Sequence, residues 1–113
     1  MKKAIDFLNS ADALGIIVDS PSGRESFVQL CILAGIAAAD VICCTRLGFY
    51  HQGDDHNQAV KLLATIDQTQ AKNLAILLKM KTRSGYGHRS SAAEDRTRAG
   101  RAASSLVEEA RSL

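Results

Sequence analysis

The chain has 113 residues, enough for one hydrophobic core and too few for two, so a single domain spanning residues 1–113 is expected. Its 46% hydrophobic content is that of an ordinary globular chain; one proline, few aromatics and abundant alanine, leucine and isoleucine favour helix over sheet. The net charge of +2 is modest but unevenly spread: residues 79–113 carry eight Lys/Arg against four Asp/Glu, and residues 1–78 six against eight, an asymmetry that points the C-terminal third towards a polyanion.

Residues 2–17 read as an amphipathic first helix with Ile5, Leu8, Ala11 and Gly15 on one stripe, ended by Asp19-Ser20-Pro21. Lys2 and Lys3 are followed at once by Asp6, Asn9 and Asp12, which is no signal-peptide pattern. Ser22 with Glu25 three positions later has the spacing of a capping box, opening a second helix from about Gly23 to Arg46. From Phe27 to Ala39 this helix carries no charge, so most of its circumference must be covered, by its own fold, by a second subunit, or by both. The run from Phe27 to Cys44 approaches the ~20 apolar residues of a membrane span. Gln29 and Asp40 interrupt it and its small residues suit close helix packing, so a soluble bundle with no membrane is expected. Cys31, Cys43 and Cys44 all lie in this helix. An odd count, an adjacent pair and no ligand spacing predict buried thiols in a reducing cytoplasm.

Leu47-Gly48 closes the second helix. A polar loop leads to Asp54 and Asp55, either of which suits the N-cap of a short third helix near residues 55–66, with Ala59, Leu62, Leu63 and Ile66 inward. His51, Asp54, Asp55 and His56 resemble a metal cluster only in composition. They fall in a loop and at a helix start, and no Glu-x-x-His pair accompanies them, so neither metal nor cofactor is expected. Thr69 is the predicted N-cap of a fourth helix over about 70–84. Ser91 and Glu94 form a second capping box for a fifth helix to near Leu113, its inner face formed by Ala99, Ala102, Ala103, Leu106, Ala110 and Leu113. The fold class is therefore all-α, an up-down bundle of four to five helices.

The fourth helix runs into Lys79-Met80-Lys81-Thr82-Arg83-Ser84-Gly85-Tyr86-Gly87-His88-Arg89. On an unbroken helix Arg83 and His88 would stand roughly 140° apart. Gly85 and Gly87 permit a turn that returns His88 towards Arg83. A fixed guanidinium beside a titratable imidazole suits phosphodiester chemistry: one neutralises phosphate oxygens, the other moves protons near neutral pH.

The segment Arg83-Ser-Gly-Tyr-Gly-His88, together with Ile36-Ala-Ala-Ala-Asp40-Val-Ile, Gly53-Asp-Asp-His56 and the capped alanine-rich last helix, resembles the HEPN (higher eukaryotes and prokaryotes nucleotide-binding) domain, whose active members carry an R-x4–6-H motif. Ser84, the polar residue after the arginine, fits the same pattern. The resemblance implies a homodimer with two motifs facing across one cleft. It further implies a metal-independent endoribonuclease, the toxin of a toxin–antitoxin or phage-defence pair with a nucleotidyltransferase-like antitoxin. The other implied possibility is an inactive HEPN-like module that binds a nucleotide or a protein. On the enzyme reading Arg83 and His88 are catalytic. The 2′-OH of RNA attacks the adjacent phosphorus, giving a 2′,3′-cyclic phosphate; one His88 accepts the 2′-OH proton and its symmetry mate protonates the leaving 5′-oxygen, while Arg83 steadies the extra charge. Tyr86 is a candidate stacking or phosphate contact, though core or interface packing explains it as well. Asp40, a carboxylate on an apolar helix, needs a partner; an arginine, Arg83 among them, is the candidate, with a plain structural salt bridge as the alternative. Lys79, Lys81, Arg89 and Arg96, with Arg98 and Arg101 beyond them, are candidates to track an RNA backbone, those nearest the motif foremost.

Overall fold

The computed structural model describes residues 2–6, 9, 21–51, 55–85 and 93–113, with side chains from residue 27 in the first long helix, as far as 81 in the fourth, and from 94 in the last. The chain is all-helical, with no strand among the described residues. Helical residues 2–6 are α1; α2 spans Pro21–Leu47, α3 His56–Ala64, α4 Gln68–Gly85 and α5 Ala93–Arg111. At about 1.5 Å per residue, 27-residue α2 is about 40 Å long, and 40 Å is the longest dimension of the molecule.

Each helix end has a local cause. Pro21 opens α2, because its missing N–H is one the first turn has no use for and its fixed φ is already helical. Ser22 therefore lies inside the first turn and is not the N-cap its spacing with Glu25 suggested. Gly48 closes α2 in the left-handed region at φ 83, its N–H donating to the Cys44 carbonyl at 2.9 Å. Asp55 is the N-cap of α3, accepting from the Asn57 and Gln58 N–H groups at 3.0 and 3.4 Å. At α4 the cap is Asp67, which accepts from the Gln70 N–H at 3.1 Å, and Thr69 sits within the helix. The expected start at about 70 moves back to Gln68, because a carboxylate one residue ahead of the helix is the stronger acceptor for an orphan N–H. Glu94 and Asp95 place negative charge in the first turn of α5; Ser91, the expected cap, lies outside the described residues.

Two close contacts set the direction of packing. Gly100 of α5 rests on the Phe27 ring, and Gly35 of α2 sits against Leu106 of α5, so α2 and α5 run parallel. α4 runs against α5: its Gln70 side-chain N–H donates to Ser105 Oγ at 3.0 Å, while Lys79 and Met80 share a groove with Arg98. Up-down alternation thus holds for α2, α4 and α5, with α3 a short addition joined to α4 by the tight turn 65–67. Val28, Ile32 and Ile42 of α2, Leu63 of α3, Leu77 of α4 and Leu106 and Val107 of α5 are fully buried. Ala34, Ala38 and Ala39 keep α2 thin where α4 and α5 close on it.

Three side chains depart from the expected pattern. The single chain by itself does not cover α2 all round: Leu33 is 42% exposed. Phe27–Leu47 is long and apolar enough by composition to cross a membrane, and more than half of it is buried inside the protein. Cys31 and Cys43 are buried but Cys44 is exposed, since one residue turns the helix by about 100° and carries it off the core face. Leu113, expected inward, is exposed because α5 ends at Arg111. On α1 the fully buried residue is Ala4, with neighbouring Ile5 half-buried; Leu8, Ala11 and Gly15 lie outside the described residues.

Candidate functional site

Leu74, Leu77, Leu78 and Met80 anchor α4 in the core and hold its C-terminal turns at the end of the bundle where α5 begins. The backbones of Arg83 and Ser84 lie in the last turn of this helix, which runs to Gly85, the first of the two glycines expected to break it. The side chains of Arg83 and Ser84, and Tyr86, His88 and Arg89 entirely, lie outside the described residues, and with them the expected convergence of Arg83 on His88.

One turn before Arg83 there is a groove of about 530 Å³ walled by three helices. Lys79 comes from α4, Arg98 from α5, and His56 and Asn57 from the start of α3, with Val60 and Ile76 among its apolar lining. The Asp55 cap starts α3 at His56. Val60 and Leu63, four and seven residues on, share its face, and buried Leu63 holds that face inward. Among the described residues none that lines the groove is acidic, and Lys79 and Arg98 make no ion pair there. Residues 79 and 83 are four apart on α4, about 40° around the axis and about 6 Å along it, so the groove points along the helix face on which residue 83 follows.

The other basic candidates separate from Lys79. Lys81 is exposed but stands about 200° round the helix from Lys79, so the two cannot follow one strand in one groove. The Arg96 guanidinium sits 5.1 Å from the centre of the Phe27 ring, a cation–π contact, and lines a separate depression with Gly100 and Arg101. His56 and Asn57 were not anticipated as groove residues. The signal was present in the spacing of His56, Val60 and Leu63, but a nine-residue helix with a polar start gives a weak pattern.

Asp40 belongs to the opposite end of α2. Burial raises its carboxyl from the model-compound value of 3.8 to about 6, against the pull of Lys3 and His51, which favour the charged form. Neither is an arginine. Gly35 marks where Leu77 of antiparallel α4 crosses α2; from that point Asp40 lies five residues one way and Arg83 six the other, about 16 Å apart along the axes. The Arg83 side chain of the expected pairing lies outside the described residues; among the described residues the charges that act on Asp40 are Lys3 of α1 and His51 of the loop after α2. With Lys3, Leu33, Cys44 and Tyr50 it lines a cavity of about 470 Å³. Burial, and then the charge of Asp40, also raise the pKa of the Cys43 thiol. His51 has a buried Nε2 with no hydrogen-bond partner among the described residues and lines a depression with Phe49, Tyr50 and Leu62, while His56 lines the groove with Lys79. Among the described residues no three His, Cys, Asp or Glu side chains gather as metal ligands.

Compared with known protein families, with curated proteins and with solved structures, the chain matches none.

Proposed function

We propose that this protein is a metal-independent endoribonuclease of the HEPN kind, acting as a cytoplasmic homodimer without a membrane, as the toxin of a toxin–antitoxin or phage-defence pair whose antitoxin is nucleotidyltransferase-like. The observation that carries the reading is the cation-lined groove at the end of α4, one turn from the backbone of Arg83, the first residue of the R-x4-H motif. A strand held at Lys79 by its phosphates reaches the motif along α4. There Arg83 neutralises the non-bridging oxygens of the scissile phosphate. His88 takes the proton of the attacking 2′-OH, and His88 of the partner protomer delivers one to the departing 5′-oxygen, each transfer worth about 10²–10⁴-fold.

The test is incubation of purified protein with single-stranded RNA in EDTA. Cleavage leaving 2′,3′-cyclic phosphate ends, abolished by Arg83→Ala and by His88→Ala, supports the reading. Cleavage that persists in His88→Ala comes from a contaminant and sinks it, as does an intact RNA pool after long incubation.

A further inference from the structure

We propose that the groove between α3, α4 and α5 is a binding site for the phosphate of a nucleotide, held by Lys79, Arg98, His56 and Asn57; it rests on the ribonuclease reading only for the identity of the natural ligand, an RNA strand. The argument begins with charge. Lys79 and Arg98 come from different helices to one groove with no acidic residue in its lining and no ion pair to either among the described residues. Two cations brought together without a counter-charge repel, and an anion between them removes that repulsion. The donor chemistry is suitable: a guanidinium offers a fork of N–H groups to phosphate oxygens, an ammonium a point charge, and the imidazole and carboxamide further N–H donors.

The α3 N-terminus is not the source of this site. Asp55 already occupies the Asn57 and Gln58 N–H groups, so the side chains must do the binding. The lining also has an apolar part, Val60, Ile76 and Met80, on which a ribose or a base can pack while the phosphate lies at the rim. A volume of about 530 Å³ falls within the ~300–1,000 Å³ of small-ligand sites. The cation set explains attraction, and the apolar lining distinguishes a nucleotide from a bare inorganic anion.

Binding of a fluorescein-labelled single-stranded 12-mer RNA and of AMP to Lys79→Glu/Arg98→Glu, compared with Lys61→Glu/Lys72→Glu, tests this. Both pairs change net charge equally and all four residues are exposed. The groove pair should weaken RNA binding about tenfold or more and flatten the log K against log salt slope by about 1.4, while the control pair moves both far less. Loss confined to AMP identifies a free nucleotide as the ligand and still upholds the site. Equal loss in both pairs, or in neither, overturns it. The second measurement uses the unmodified protein: the His56 ring C–H resonances should shift on adding AMP, and their failure to move at saturation also overturns the proposal. Binding retained by His88→Ala but lost in the groove pair upholds the site even if no RNA is cleaved. Cleavage with RNA and AMP affinity both undiminished in the groove pair overturns the site and leaves the nuclease reading standing.

Discussion

Gly35 of α2 and Leu77 of α4 occupy one point in the core: a Cβ at residue 35 would overlap Leu77 Cδ1 and press on Leu106 as well. Leu77 and Leu106 are fully buried, so neither has open space into which to move. The crossing of α2, α4 and α5 therefore depends on an absent side chain.

Gly35→Val should lower stability by about 1–3 kcal/mol, the usual cost of overpacking a full core. Urea denaturation measures it, and Leu77→Ala added to Gly35→Val should cost less than Leu77→Ala alone. Equal costs in the two backgrounds would separate the residues energetically.

Gln70 is buried, donates through its amide to Ser105 Oγ at 3.0 Å, and accepts from the Asn73 amide at 3.0 Å. Ser105→Ala strands a buried donor and should cost about 1–3 kcal/mol. Replacing both partners, as Gln70→Met with Ser105→Ala, should cost less than the sum of the single changes. Additive losses in denaturant midpoints would show that the bond contributes little.

Asp40 gives stability a slope with pH. Its folded pKa of about 6 lies above the 3.8 of the free carboxyl, so the folded state binds the proton more tightly. The resulting stabilisation is complete below about pH 4 and is lost as pH rises through about 6. Partial exposure reduces its size to about 1 kcal/mol. Asp40→Asn should flatten the fall in urea midpoint between pH 4 and 7 and raise the midpoint at pH 7; an unchanged slope would assign the pH dependence to other groups.

Asp67 and Thr69 separate the two candidates for the start of α4. Asp67→Ala should cost about 1 kcal/mol, the price of an N-cap, whereas Thr69→Ala, exposed and within the helix, should stay within about 0.5 kcal/mol. Thermal melts that rank them the other way would restore Thr69 as the cap.

The helices were legible because apolar spacing carries most of the signal: the Ala99, Ala102, Ala103, Leu106, Ala110 stripe is buried as read. Caps were less so, because Asp67 and Thr69 both suit the position, and only the hydrogen bond to Gln70 distinguishes them. Asp40 marked itself as a carboxylate on an apolar helix, but its half-buried setting beside Lys3 and His51 is invisible to local spacing because both are distant in sequence. The groove was the least legible feature, since His56, Lys79 and Arg98 meet only once three helices are packed. Lys79 and Lys81 looked equivalent in the sequence and are separated by helical rotation alone.

α3 supplies one wall of that groove yet contributes only Leu63 to the fully buried core. An element so lightly anchored opens at lower free energy than the helices behind it. Amide hydrogens of His56–Ala64 should exchange well before those in the middle of α2 and α5, and a bound nucleotide, by clamping the wall to its neighbours, should slow that exchange selectively. The proposed nucleotide site would then take one of its walls from a helix held in the core by a single fully buried leucine.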